Sequence, residues 1–249
     1  MINALVFHKT SKRFLTNTIN INPIITRSIS TQINHEEINP DPNLINTRNA
    51  PSNFNKSTAV VYHHPSLISQ HESEVLLSDI QKRTSRKRYQ KGHWDSVISG
   101  YKEVELFEDL LSDVSTRVIT RIRYFIERKH LSYHTDIKWL PCHAIELKED
   151  GHLKPHVDSV KFSGDVVCGL SLLSPSIMRL KKENENDGRY VDLLLSPCSL
   201  YVLSGEGRYG YTHELLDSSS EFCSDLGDDS SIVHRLKRIS LIFRDTKED

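Results

Sequence analysis

The sequence predicts a mainly β fold, a double-stranded β-helix or jelly-roll barrel buttressed by N-terminal α-helices. Three observations lead there. After Pro141 the chain breaks into about eight short apolar runs separated by turn residues, the texture of a closed or two-layered β structure. Before Pro141, two segments carry apolar residues at helical spacing. Two of the expected strands also carry polar residues at even spacing, His156 with Asp158 and Arg238 with Ser240 and Arg244. Residues two apart on a strand share a face, so each set points into one barrel mouth.

A chain of 249 residues is long enough for one catalytic domain with its own core. A formal net charge of −1 leaves no global bias, so affinity for nucleic acid has to come from a local patch. Cys142, Cys168, Cys198 and Cys223 are widely spaced and form no Cys-x-x-Cys pair, which argues against a zinc ribbon and for reduced thiols. No apolar run approaches the roughly 20 residues of a membrane-spanning helix.

Taken in order, residues 1–35 contain Lys9, Lys12, Arg13 and Arg27, many hydroxyl residues and no acid before Glu36. This composition predicts a mitochondrial transit peptide, with an Asn-rich tail as the other reading. Residues 36–57 are rich in Asn and Pro and poor in large apolar side chains, and read as a disordered linker. The folded domain is expected over 58–249. It opens with a strand at 59–62 and a break at His63-His64-Pro65, where adjacent His face opposite ways and make poor joint ligands. Ser69 and Glu72 form a capping-box pattern that starts a helix through Ile80.

Lys82, Arg83, Arg86, Lys87, Arg88 and Lys91 follow without an acid among them. The stretch reads either as a grip for phosphates or as a solvated helix end. Phe107, Leu110, Leu111, Val114, Val118, Ile122, Phe125 and Ile126 recur at helical spacing and predict a buttressing helix over about 104–129. Strands are expected at 143–147, 154–158, 166–173, 177–182, 190–195, 200–203, 211–215 and 237–244, with a turn at 186–188.

A non-haem Fe(II) site uses two His and one carboxylate on one side of the metal and leaves the other side open. His156-x-Asp158 supplies two ligands from one expected strand, and His213, on a late strand, is the best placed third. His234 is the rival but lies in an Asp- and Ser-rich loop region, and His143 and His152 come too early. On the last strand, Arg238 and Ser240 form a clamp for a planar carboxylate, with Arg244 on the same face. The plainer alternative places Arg238 in a surface cluster with Arg235 and Lys237.

The set His156-x-Asp158, His213, Arg238 and Arg244, with five residues between the two Arg, resembles the AlkB family of Fe(II)/2-oxoglutarate dioxygenases. The segments 141–147, 154–162, 169–176 and 238–240 resemble its seventh-homologue branch, and the likeness spans roughly 58–244. The resemblance implies Fe(II), 2-oxoglutarate and O₂ as cofactors and cosubstrates, metal ligands His156, Asp158 and His213, and a 2-oxoglutarate pocket of Tyr201, Arg238, Ser240 and Arg244. It further implies a mitochondrial enzyme in a branch linked to fatty-acid metabolism and programmed necrosis, and a monomer of the matrix is expected. Two departures bear on substrate. Ile145 and Leu147 replace an Asn-x-Tyr of the repair members, and Val160 replaces the acid those members place near the damaged base. Duplex DNA is therefore not expected as a partner. Three functions stay open: hydroxylation or demethylation of a protein or other non-duplex substrate, demethylation of mitochondrial RNA such as tRNA, and a non-catalytic metal-binding barrel acting through protein partners.

Overall fold

The computed structural model describes residues 37–246 apart from 94, 132–136 and 186. The expected transit peptide lies outside the described residues, as does Asn186 of the expected 186–188 turn. In chain order the elements are β1 (Ile45–Asn46), β2 (Ala59–Tyr62), α1 (Gln70–Thr84), β3 (Ile98–Leu106), α2 (Asp113–His130), β4 (Cys142–His156), β5 (Val166–Leu173), β6 (Ser176–Lys182), β7 (Val191–Leu195), β8 (Leu200–Ser204), α3 (Gly205–Tyr209), β9 (Tyr211–Leu215), β10 (Ser220–Phe222), β11 (Ser231–Val233) and β12 (Arg238–Arg244).

One antiparallel sheet runs β1-β7-β6-β9-β4-β12-β5-β8-β2, with β3 added on β4; β10 and β11 form a separate hairpin. The sheet curls so that its two ends line one interior, where Leu44 and Leu193 share a core with Val61, Tyr201 and Tyr211. A second core fills the space between the outer sheet face and the helices. There Ile239, Leu241 and Phe243 of β12 meet Leu76 and Ile80 of α1 and Ile122 and Phe125 of α2. This is the expected helix-buttressed jelly roll.

The helices are tied together by their own caps. The Ser69 hydroxyl accepts the Glu72 N–H at 3.3 Å, and the Glu72 carboxylate accepts the Ser69 N–H at 2.9 Å, completing the predicted capping box. The Glu72 carboxylate then reaches across to Arg121 of α2 at 2.6 Å. Asp79 of α1 accepts hydrogen bonds from the Ser112 N–H at 3.0 Å and the Ser115 hydroxyl at 2.9 Å, so one helix caps the start of the next.

Three expectations require correction. The helix begins at Asp113 rather than near 104, since Val104 and Leu106 belong to β3 and pair with Ala144 and Cys142 of β4. The runs expected as separate strands at 143–147 and 154–158 are one strand that ends at His156, with an irregular register between Leu153 and His156. Pro155 lies within that irregular stretch, where its missing N–H removes a ladder donor.

The third correction concerns 36–57, which is not a disordered linker over its described residues. Ile38 and Leu44 are buried in the two cores, and β1 pairs with β7. The Asn and Asp residues that suggested disorder act as caps. Asp41 accepts the Asn43 N–H at 2.9 Å and Asn55 accepts the Ser57 N–H at 3.0 Å, each starting a short 3₁₀ turn. Asp225, in the β10–β11 loop, accepts from the Thr47 N–H at 2.6 Å and the Thr47 hydroxyl at 2.7 Å, and pairs with Lys56 at 2.7 Å. Asp225→Ala should therefore cost about 1–3 kcal/mol, the range for leaving such donors unpaired. A urea unfolding curve checks it, with an unchanged midpoint as the contrary result.

Candidate metal and cosubstrate site

His156 closes β4 and stands opposite His213 of β9 as a cross-strand pair, their ring centroids 4.2 Å apart. The His156 Nδ1 lies 2.8 Å from the Lys154 carbonyl oxygen. That contact makes Nδ1–H the donor and leaves Nε2 as the free ligand atom. Asp158 arrives differently from the sequence expectation, because it lies beyond the strand and reaches the pair from the following loop. One ligand atom from each of His156, Asp158 and His213 lies within 4.8 Å of the others. Two imidazoles and one carboxylate on one side of a cavity form the donor set that suits Fe(II).

Asp158 is fully enclosed by cations and ring nitrogens. Its Oδ1 accepts from Arg244 at 2.8 Å and its Oδ2 lies 3.6 Å from His213 Nε2. Burial opposes ionisation, yet the Arg244 guanidinium beside it outweighs burial and holds the carboxyl well below the usual carboxylate range. Burial, followed by the neighbouring His156, pushes His213 down to about 3, so its imidazole is neutral and available as a ligand.

A cavity of about 50 Å³ contains the triad and is walled by Ile98, Tyr101, Glu103, Ile145 and Tyr201. Beside it lies one of about 40 Å³ that shares Ile98, Ile145, Leu153, Tyr201 and Ile242 with the first and ends on Arg238 and Ser240. The even face of β12 does point inward as expected. Arg238 and Ser240 sit at one end and Arg244 at the metal end, while Ile239, Leu241 and Phe243 point to the other core. Tyr201 bridges the two compartments. Its ring lies against Gly169, its partner across β5 and β8, where a Cβ would collide with the ring.

Arg238 is the group that calls for a ligand. It is only 4 % exposed, yet among the described residues its one side-chain hydrogen-bond partner is the Ser171 hydroxyl at 3.3 Å. Its Nε and the Ser240 hydroxyl are buried without any hydrogen bond among the described residues. Burial lowers its pKa to about 10, which leaves it charged at neutral pH. A buried cation and a buried hydroxyl without an anion are costly, and a carboxylate satisfies both. The residues present thus fit a dicarboxylate whose other end reaches the triad.

The other His residues weighed from the sequence stay out of the site. His63 is exposed and His64 accepts from the Ser66 N–H in a turn. His152 meets Asp217 on the surface, and His234 meets Ser219. His143 bonds Glu103 at 2.9 Å. Sequence reasoning missed two residues. Glu103 was hidden because the irregularity between Ser99 and Tyr101 breaks the alternation of β3. Arg208, only 2 % exposed, donates to the carbonyls of Asp158 and Ser159, and an isolated Arg carries no signal of such a contact.

An inward-facing triad at the mouth of a jelly roll, with an unpaired buried Arg behind it, defines the class of 2-oxoglutarate-dependent oxygenases. No family model matches the chain. It is 38 % identical over 186 residues to the mouse "Alpha-ketoglutarate-dependent dioxygenase alkB homolog 7, mitochondrial", covering 74 % of this chain and 78 % of that protein. The cattle protein of the same name is 35 % identical over 184 residues, covering 74 % and 77 %. The chain belongs to this alkB homolog 7 family of α-ketoglutarate-dependent dioxygenases, and it uses Fe(II), 2-oxoglutarate and O₂. The reading as a non-catalytic barrel is thereby set aside.

Solved structures support the fold. A Pseudomonas putida prolyl-4-hydroxylase matches with a TM-score of 0.50 at 11 % identity, over 77 % of this chain and 94 % of that one. OsALKBH1 matches with a TM-score of 0.50 at 14 % identity, over 78 % and 99 %.

If Arg238 is the carboxylate anchor, Arg238→Ala should weaken 2-oxoglutarate binding at least about tenfold, since losing a buried charged partner typically costs about 2–5 kcal/mol. Isothermal titration reads the effect, and an unchanged affinity would move the anchor elsewhere.

Proposed function

We propose that His156, Asp158 and His213 hold Fe(II), that Arg238, Ser240 and Tyr201 bind 2-oxoglutarate, and that Arg244 holds Asp158 in place at the pocket's metal end. The enzyme then hydroxylates or demethylates a protein or other non-duplex substrate in the mitochondrial matrix. The observation that carries this reading is the buried Arg238, without an acidic partner among the described residues, lining a cavity that shares its apolar walls with the cavity at the triad. Bound Fe(II) supplies O₂-driven decarboxylation of 2-oxoglutarate to succinate and CO₂, coupled to oxygen insertion into a substrate C–H bond.

The chain's own groups do the rest. The Arg238 guanidinium pairs the far carboxylate and the Ser240 hydroxyl donates beside it. Burial, with the charge of Asp158, keeps the Tyr201 hydroxyl protonated and so a donor. Ile98, Ile145, Leu153 and Ile242 exclude water between the two ends.

Two observations favour a protein substrate. Val160, in place of an acid, is 40 % exposed beside Asp158, and among the described residues lining the cavity the two tyrosines, Tyr101 and Tyr201, are buried in its walls. Buried tyrosines offer poor faces on which to stack an extruded base. A matrix enzyme acting on protein also accommodates the family's resemblance-based link to fatty-acid metabolism and programmed necrosis.

One observation supports RNA as a second reading. Lys87 donates to the Glu103 carbonyl at 2.8 Å, which sets the basic stretch along a cavity-lining strand. Arg86, Arg88 and Lys91 there are exposed and without an acidic partner among the described residues.

Mitochondrial protein extract and mitochondrial tRNA, supplied side by side, separate the two. The expected outcome is succinate release stimulated by protein extract and abolished in His213→Ala. Stimulation by tRNA instead, weakened when Arg86, Lys87 and Arg88 are neutralised, would establish the RNA reading. For location, residues 1–35 fused to a fluorescent protein should direct it into mitochondria, and a diffuse cytosolic signal is the contrary result.

A further inference from the structure

Asp158 presents a problem of placement. His156 and His213 are set by sheet register, but β4 ends at His156 and the loop 157–165 makes no ladder until β5 resumes at Val166. Arg244 orients the carboxylate from β12. The backbone beneath that carboxylate is held from elsewhere, by the short helix α3 that joins the Tyr201 strand to the His213 strand.

Arg208 of α3 donates from Nη1 to the Asp158 carbonyl at 2.9 Å and from Nη2 to the Ser159 carbonyl at 3.2 Å. The next residue, Tyr209, donates its hydroxyl to the Gly164 carbonyl at 2.9 Å, near the far end of the same loop. The helix itself is seated against the 3₁₀ turn at Lys56–Thr58, because a Cβ on Gly207 would collide with the Thr58 carbonyl. Arg208 makes no ion pair among the described residues, so its buried charge is matched by carbonyl dipoles, by the nearby Asp158 and Asp245, and by the Tyr209 ring beneath it. A guanidinium fork is the side chain that spans two successive carbonyls at once, which an ammonium does not do.

We infer that Arg208, assisted by Tyr209, is a positioning residue that holds the Asp158 carboxylate against His156 and His213. The inference rests on the proposed role of Asp158 as a metal ligand. Groups that orient ligands from behind typically set metal affinity by about 10- to 100-fold.

The test uses the full chain and Mn(II) as probe, with bound metal read from loss of the free-ion paramagnetic resonance signal and folding from the melting curve. Arg208→Lys should weaken Mn(II) binding about tenfold or more while the protein still melts cooperatively. Tyr209→Phe, at a half-exposed site, should weaken it less but in the same direction. Arg235→Lys is the matched control. Arg235 is as deeply buried and clasps the carbonyls of Leu216, Lys148 and Gly151, away from the triad. That variant should melt lower yet bind Mn(II) as the parent does.

An Arg208→Lys chain with parental affinity, or an equal loss in Arg235→Lys, overturns the inference. If Arg208→Lys does not fold, parental affinity in Tyr209→Phe overturns it as well. Asp158→Ala separates the two levels. Parental affinity there defeats the ligand assignment itself, whereas loss there with no loss in Arg208→Lys defeats only the role of Arg208.

Discussion

Burying a guanidinium is expensive, and the interior of this barrel is organised by how four of them are satisfied. Arg244 is answered by a carboxylate, Asp158. Arg208 and Arg235 are answered by main-chain carbonyls, and each thereby fastens a segment that lacks a ladder or turns sharply. Among the described residues, Arg238 alone has only a hydroxyl. Three of the four charges stabilise the protein's own geometry, and the fourth is the one proposed to take a ligand. This division explains why the Arg238 cavity and the triad cavity can lie side by side, sharing apolar walls, without competing for the same cations.

β12 makes the arrangement possible. It lies between β4 and β5, so its register is set by β5 over its whole length and from both sides over 238–242. Its odd residues pack beneath the helices, and its even residues line the cavity. A one-residue slip would exchange the two sets and place Arg238 and Arg244 in the helix-facing core. The helices that press on the odd face therefore also guard the polar face, although none of their side chains reaches the site.

Much of this was legible in the sequence, and the exceptions share a cause. The strand alternation of 238–244, the capping box at Ser69 and Glu72, and His213 as the partner of His156 all follow from local periodicity or cap chemistry, and the structure shows each arrangement. What failed depended on distant partners. Residues 36–57 look like linker until the strand β7 and the loop carrying Asp225 are brought to them. Val104 and Leu106 fit a helical apolar pattern as well as a strand, and only pairing with β4 decides between them. Asp158 occupies the expected site by a different route, since loop geometry and two Arg side chains replace the strand face that the spacing suggested.

The seating of α3 on the turn at Lys56–Thr58 reaches beyond the metal site. It makes the polar stretch ahead of β2 a foundation stone of the barrel, with Ile38 and Leu44 driven into its two cores as footings. The packed core thus includes Ile38, some twenty residues upstream of the point at which composition alone would draw a domain boundary. A chain trimmed to the compositional boundary would keep every residue of the triad and the anchor, and would lose the ground on which one of them is aligned.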